Sequence, residues 1–145
     1  MLSKASKYAI RALVYMNTIE NNPLINIHQI ADKLDIPEQF LGKILQLLAK
    51  RKVLYSQKGI NGGFKFLKEP SEITFLEVVE IIDGLESFDN CLLGMKFCKL
   101  NPEIANLCYF HDKLDPLLIQ LKTILAETTI ENYTSNIEKA NKIIF

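Results

Sequence analysis

"INIHQIADKLDIPEQFLGKILQLLAKRKVL", residues 25 to 54, carries two helical runs of apolar residues broken at Asp35 to Pro37. Ile27, Ile30, Ala31 and Leu34 fall on one side of a short helix, and Leu41, Ile44, Leu45 and Leu48 on one side of a longer one, at the spacing that brings side chains to a single face. Pro37 stands where only the first turn of a helix tolerates a missing N–H. The opposite side of the second helix shows Gln39, Lys43, Gln46 and Lys50, at offsets of four, three and four. Two helices joined by a tight turn, the second basic and amide-rich on its outer face, predict a helix-turn-helix. Such a helix fits the major groove of DNA, where Gln pairs bidentately with adenine and Lys reaches guanine or phosphate.

The adjoining segment strengthens the case for DNA. "VLYSQKGINGGFKFL", residues 53 to 67, predicts strand, glycine-rich turn and strand. Tyr55, Phe64 and Phe66 supply β-favouring residues, and Asn61-Gly62 is expected to supply the positive backbone dihedrals of a tight hairpin. A hairpin directly after the second helix makes a winged helix. Lys58 at its tip and Lys65 on its returning strand can meet phosphates or the minor groove; the bland alternative is a hairpin that merely covers the core. The candidate DNA-binding residues are therefore His28 on the outer face of the short helix, Pro37, Glu38, Gln39, Lys43, Gln46 and Lys50, and Lys58, Gly59, Asn61, Gly62 and Lys65 of the wing. Upstream, Tyr8, Ala9, Ala12, Leu13 and Met16 give residues Ser3 to Glu20 the pattern of a first amphipathic helix, ending before the loop "ENNPL".

The charge distribution agrees with a polyanionic partner for this half. Residues 1 to 70 hold nine Lys and two Arg against five acids, net +6, and residues 71 to 145 hold six Lys against twelve acids, net −6. A chain of 145 residues fits one ordinary domain, and its 48% apolar content is that of a globular protein. No run approaches the ~18 apolar residues of a membrane span. Lys4, Lys7 and Arg11 interrupt the stretch where a signal peptide needs an apolar region, so a cytoplasmic protein with no membrane partner is expected. In a reducing compartment an odd number of cysteines, three here, points to metal or redox chemistry over disulfides. No nucleophile and base pairing, phosphate loop or Cys-x-x-Cys suggests an enzyme.

In the second half, "SEITFLEVVEIIDGL" offers Thr74 with Glu77 as a capping box, and Phe75, Val78, Val79 and Ile82 as a buried stripe stopping at Gly84. "KLDPLLIQLKTILAETT" then places Leu114, Leu117, Leu118, Leu121, Ile124 and Leu125 on a strong helical stripe. That stripe needs a partner surface, either the chain's own core or a second copy; a dimer seam is favoured because proteins that read duplexes with this motif are commonly two-fold symmetric. The tail "IENYTSNIEKANKIIF" shows no clear stripe.

Between these helices lies "CLLGMKFCKLNPEIANLCYFH", residues 91 to 111, which holds every cysteine in the chain. Cys108 and His111 are close enough to meet one metal from a single turn, whereas Cys91 and Cys98 need a loop that folds back. Three thiols with an imidazole suit zinc or iron-sulfur iron, with zinc weakened by the lack of a tight Cys-Cys pair. The alternative is three buried cysteines behaving as small hydrophobes.

Taken in order, "IADKLDIPEQFLGKILQLLAK", "KGINGGF", "ITFLEVVEIIDG", "CLLG" and the Cys-x-x-His of residues 108 to 111 resemble the bacterial winged-helix iron-sulfur transcriptional regulators, the family that includes the cluster-assembly regulator IscR and the nitric-oxide sensor NsrR. The likeness covers residues 1 to about 130. It implies a homodimeric regulator that binds a palindromic operator in double-stranded DNA, with Cys91, Cys98 and Cys108 as thiolate ligands of a 2Fe-2S or 4Fe-4S cluster and His111 matching the fourth ligand of the cluster-assembly branch. It also puts Lys58 where the family often has arginine. The intervals between cysteines are longer here than in the best-known members, and Tyr8 stands near where the nitric-oxide branch has an acidic ligand. Some relatives sense thiol state without a cluster, so a zinc-stabilised or metal-free thiol-sensing repressor of the same fold is the alternative. The expected architecture is mainly α, with a winged helix-turn-helix over residues 1–84, a cysteine-bearing sensor loop over 85–111, and a dimerisation helix and tail over 112–145.

Overall fold

A computed structural model describes residues 2–89, 103 and 108–139. Helix α1 (Lys4–Asn17) opens on Ser3, whose hydroxyl accepts the Ser6 N–H at 3.1 Å, and buries Ala9, Ala12, Leu13 and Met16 at the centre of the molecule. The loop after it turns through Asn21 and Asn22, both with positive φ, a conformation asparagine tolerates better than most residues. Asn22 then pairs with the backbone of Phe66, accepting its N–H at 2.8 Å and donating to its carbonyl at 3.0 Å.

Helix α2 (Ile27–Leu34) is capped by Asn26 and closes on Asp35 in the left-handed region, and helix α3 (Glu38–Lys50) begins directly after Pro37. Pro37 thus caps α3 from just outside it; its carbonyl accepts the N–H groups of Phe40 and Leu41, both at 3.0 Å. Ile36 is buried between the helices, and Arg11 reaches from α1 to the Leu34 carbonyl at 3.1 Å, satisfying an orphan acceptor at the end of α2. Strands β1 (Leu54–Gln57) and β2 (Gly63–Phe66) form an antiparallel hairpin with Leu54 opposite Phe66 and Gln57 opposite Gly63. A bridge between Ile25 and Phe64, with N–H···O distances of 2.8 and 2.9 Å, fastens the hairpin to the segment entering α2.

The hairpin turn differs from the expected one. Asn61-Gly62 does not carry positive φ; Gly59 does, at +106°, within a five-residue connection closed by the Gly62 N–H on the Gly59 carbonyl at 2.9 Å. Gly62 is needed for closeness instead, because a Cβ there would stand 2.2 Å from the Gln57 carbonyl oxygen.

Helix α4 (Phe75–Asp83) begins on Thr74, whose hydroxyl accepts the Glu77 N–H at 3.1 Å. Only this half of the expected capping box forms, since the Glu77 carboxylate is taken by Lys68 at 2.8 Å. Gly84, with φ +74°, ends the helix, and the single turn α5 (Glu86–Asp89) tucks Phe88 into the core. Helix α6 (Tyr109–Glu127) packs on α4 and runs through Pro116, and α7 (Ile130–Lys139) packs on α1. The tail without an apparent stripe is thus helical over residues 130–139. Ile130 is fully buried, Thr134 is buried with its hydroxyl donating to the Ile130 carbonyl at 2.7 Å, and Tyr133 meets the Phe75 ring at 5.1 Å. A backbone bridge joins Thr74 to Thr129, flanked by Phe75 N–H to Thr128 O and Ile130 N–H to Ile73 O at 2.9 Å each. One core therefore joins α1 to α4 with α6 and α7: Leu13, Met16, Leu41, Leu45, Leu48, Ile73, Val78, Leu125 and Ile130 all belong to it. Among the described residues no helix is long and apolar enough to cross a membrane.

Candidate nucleic-acid interface

Because Leu41, Ile44, Leu45 and Leu48 are buried, helical geometry turns Gln39, Lys43, Gln46 and Lys50 outward, and all four are exposed along one side of α3. With Gly42 and Leu47 they line a shallow groove. Gly42 lets α2 approach, since a Cβ there would press on Ile27 Cδ1 at 3.3 Å. Leu47, which the polar reading of this face passes over, is exposed among the amides and lysines, as a group that can meet a thymine methyl.

A second cleft, between α3 and the wing, is lined by Asn26, Gln46, Ser56, Gln57, Lys58 and Gly59 among others. Gln46 donates to the Ser56 hydroxyl at 3.2 Å, which fixes its orientation and leaves its carbonyl and second N–H for another partner. Lys43, Lys50 and Lys58 are exposed and make no ion pair among the described residues. Lys65 behaves differently: it lies opposite Tyr55 in the hairpin, with its ammonium 5.3 Å from the Tyr55 ring centre. Asn61 and Gly59 are exposed at the tip and Gly62 is half-buried behind it.

His28 and Glu38 join each other across the turn through Nδ1 and Oε2, the His28 side chain largely exposed and that of Glu38 half-buried. This pair braces the first turns of α2 and α3, and sequence spacing alone does not disclose it. Tyr8 sits half-buried with its ring edge-on to Phe40 at 5.9 Å and with Lys4 and Arg11 stacked at 5.5 and 5.8 Å, so α1 supplies an aromatic brace to the start of α3 at this position.

Of the four candidate metal ligands, Cys91 and Cys98 lie outside the described residues. Cys108 is half-buried at the N-cap of α6, where its carbonyl accepts the Asp112 N–H at 3.1 Å, and His111 falls in the first turn of that helix. The described residues contain no group of three or more His, Cys, Asp or Glu placed to hold a metal.

The leucine stripe of α6 divides between two faces. Leu125 is only 6% exposed within this chain's own core, and Leu121 packs against the same core, so the inward side of the helix is spent on α4. Leu125 is thus a core residue of its own chain and not available to a partner. Leu114 and Leu118 are half-buried, whereas Phe110, Leu117 and Ile124, spaced by seven, are exposed, Leu117 at 60%.

At the C-terminal end of α4, Asp83 accepts hydrogen bonds from the Ser3 N–H at 3.0 Å, from the Ser3 hydroxyl and from the Ser6 hydroxyl at 2.7 Å. Burial alone would push this carboxyl up, but the donors from Ser3 and Ser6 outweigh it and hold it below its ordinary value.

A family model described as "Rrf2: Iron-dependent Transcriptional regulator" matches residues 2–136. A putative HTH-type transcriptional regulator of Aquifex aeolicus is 34% identical over 140 residues, 96% of this chain and 94% of that protein. The HTH-type transcriptional regulator NsrR of Oceanobacillus iheyensis is 28% identical over 142 residues, covering 95% and 92%. Among solved structures, CymR, the global cysteine regulator of B. subtilis, superposes with a TM-score of 0.72 at 20% identity over 94% of this chain and 97% of that one, a likeness of fold.

Proposed function

The chain belongs to the Rrf2 family of transcriptional regulators, and from that premise we propose that it binds double-stranded DNA as a homodimer, α3 in the major groove and the wing beside it, under control of an iron-sulfur cluster held by its cysteine segment. The observation that carries the DNA reading is the outer face of α3. Gln39, Lys43, Gln46 and Lys50 stand exposed on a helix whose other side is fully committed to the core, and the wing continues that face with Lys58. Gln39 and Gln46 read base edges, Leu47 meets a thymine methyl, and the lysines set register on phosphates. His28 and Glu38 hold the turn that aims α3.

The dimer reading rests on the outer face of α6, where Phe110, Leu117 and Ile124 present an apolar seam to a second copy. Cys91, Cys98 and Cys108 would hold the cluster, with His111 as the fourth ligand; thiolates and a neutral imidazole are the donors that soft iron-sulfur iron accepts. When bound, the cluster supplies a group responsive to oxidants and to iron supply. The chain's own residues carry the response: Cys108 caps α6, α6 packs on α4, and Asp83 at the end of α4 is tied to the first turn of α1. A shift of α6 therefore bears on the spacing of the two α3 helices, and coupling of ~1–3 kcal/mol would change operator affinity about five- to 150-fold.

The test is to incubate the full-length protein with a pool of random-sequence duplexes, recover what it retains, and titrate the recovered duplex with salt. Retention of a two-fold symmetric sequence, with affinity falling steeply as salt rises, is expected. A pool returned without enrichment would overturn the DNA reading.

A further inference from the structure

Ile60 is 98% exposed, more than any other large apolar side chain described. It occupies the outermost turn of the wing, Gly59 to Gly62, held by the Gly62 to Gly59 hydrogen bond at 2.9 Å. The tip is backed closely by protein: Cβ atoms at Gly62 and Gly63 would stand 2.2 Å from the carbonyl oxygens of Gln57 and Ile25 respectively. The wing therefore does not fold Ile60 back onto the core, and it presents the side chain to solvent beyond Lys58.

Nothing in the fold asks for isoleucine there. The central positions of a turn favour Pro, Asp, Asn, Ser or Gly, whose side chains fix or relax the backbone, and a β-branched aliphatic does neither. Ile60 buries no area in its own chain, so a local preference is overridden without a packing gain, a pattern expected at functional positions. It also stands alone. Its neighbours Lys58, Gly59, Asn61 and Gly62 are basic, polar or without a side chain, so the tip offers no contiguous apolar patch for a protein partner. A cationic projection ending in one bare branched aliphatic matches the wedge with which proteins enter the minor groove, the cation on phosphate and the aliphatic between base pairs.

We infer that Ile60 is an apolar wedge that enters the minor groove beside the bases read by α3, partly unstacks one base step there and bends the duplex. The wedge rests on the proposed DNA binding and adds to it a residue, an unstacked base step and a class of sequence. Pyrimidine-purine steps unstack most readily, so the recovered duplexes should carry TA or CA/TG steps on the flanks of the bases facing α3.

The experiment uses the full chain and a duplex recovered from the random pool, with 2-aminopurine replacing the adenine of that flanking step and a donor and acceptor dye at its ends. Binding of the parent should raise 2-aminopurine emission and shorten the end-to-end distance. Ile60→Ser, which alters an exposed side chain and should leave the thermal midpoint unchanged, should abolish both signals. It should weaken binding about tenfold while keeping the slope of log K against log salt, because Lys58 is intact. Ile60→Leu should restore both signals. Unstacking and bending that persist undiminished in Ile60→Ser would overturn the wedge and leave the DNA reading standing, whereas failure to recover any duplex would overturn both.

Discussion

Asp83 and Lys58 represent two ways a single residue matters here. Asp83 is the acceptor for Ser3, which caps α1, and for Ser6 in its first turn, and its carboxyl lies below its ordinary value, so it stabilises the fold above the pKa it has when unfolded and loses that contribution as pH falls through the folded pKa. Thermal midpoints of the parent should therefore drop as pH is lowered below about 4, and Asp83→Asn should start lower at neutral pH and decline less in that range. Equal pH profiles for the two proteins would show that the serine contacts do not carry this energy. Lys58 makes no ion pair among the described residues, so Lys58→Ala should leave stability alone. It should also lower the slope of log K against log salt by about two in a symmetric dimer, one phosphate per subunit. Gln39→Ala should chiefly relax base preference. The outward placement of these α3 residues was legible because helical period alone turns them away from four buried aliphatics. The ties of Gln46 to Ser56 and of His28 to Glu38 were not, because each joins residues ten positions apart through the tertiary path of the chain.

At the scale of elements, α6 shows what a periodic stripe can and cannot say. Six aliphatics at helical spacing announce a helix with an apolar face, but spacing does not name the neighbour, and here the stripe is wide enough to serve α4 inward and solvent outward. Substitutions should separate the two faces. Leu125→Ala should cost about 2–5 kcal/mol of stability, read from denaturant unfolding, by opening a cavity in the chain's own core. Leu117→Glu should leave the fold intact yet yield monomers in sedimentation, with DNA affinity lost alongside; a dimer that survives this change would remove the outer face of α6 from the interface. Helix α7 was hidden for a different reason. Its buried positions are Ile130, Thr134 and half-buried Ile137, and a threonine that donates to the carbonyl four residues back is buried without looking apolar in sequence. The wing was legible as a hairpin from its strands and glycines, but not in its turn, where Gly59 takes the positive φ expected of Asn61-Gly62.

For the molecule as a whole, the cysteines decide what kind of regulator this is. Protein purified without oxygen should be brown and contain iron and acid-labile sulfide, and Ser at Cys91, Cys98 or Cys108 should bleach it, since three thiolates leave no spare ligand. His111→Ala should keep a more labile cluster, because an imidazole is a neutral and protonatable donor. A colourless protein holding one zinc per chain, or no metal, would point instead to the zinc-stabilised or thiol-sensing alternative. The bridge between Thr74 and Thr129, with α7 lying on α1, bears on all of these outcomes. It closes the core on both sides of the cysteine segment, which is therefore spliced into a finished domain and not hung from its end. A flexible linker of equal length in place of residues 90–107 should leave one cooperative unfolding transition intact. A segment joined to that core at both ends has a further consequence: a change in the distance it spans acts on α5 and α6 together, whereas the same change beyond a chain end would act on neither.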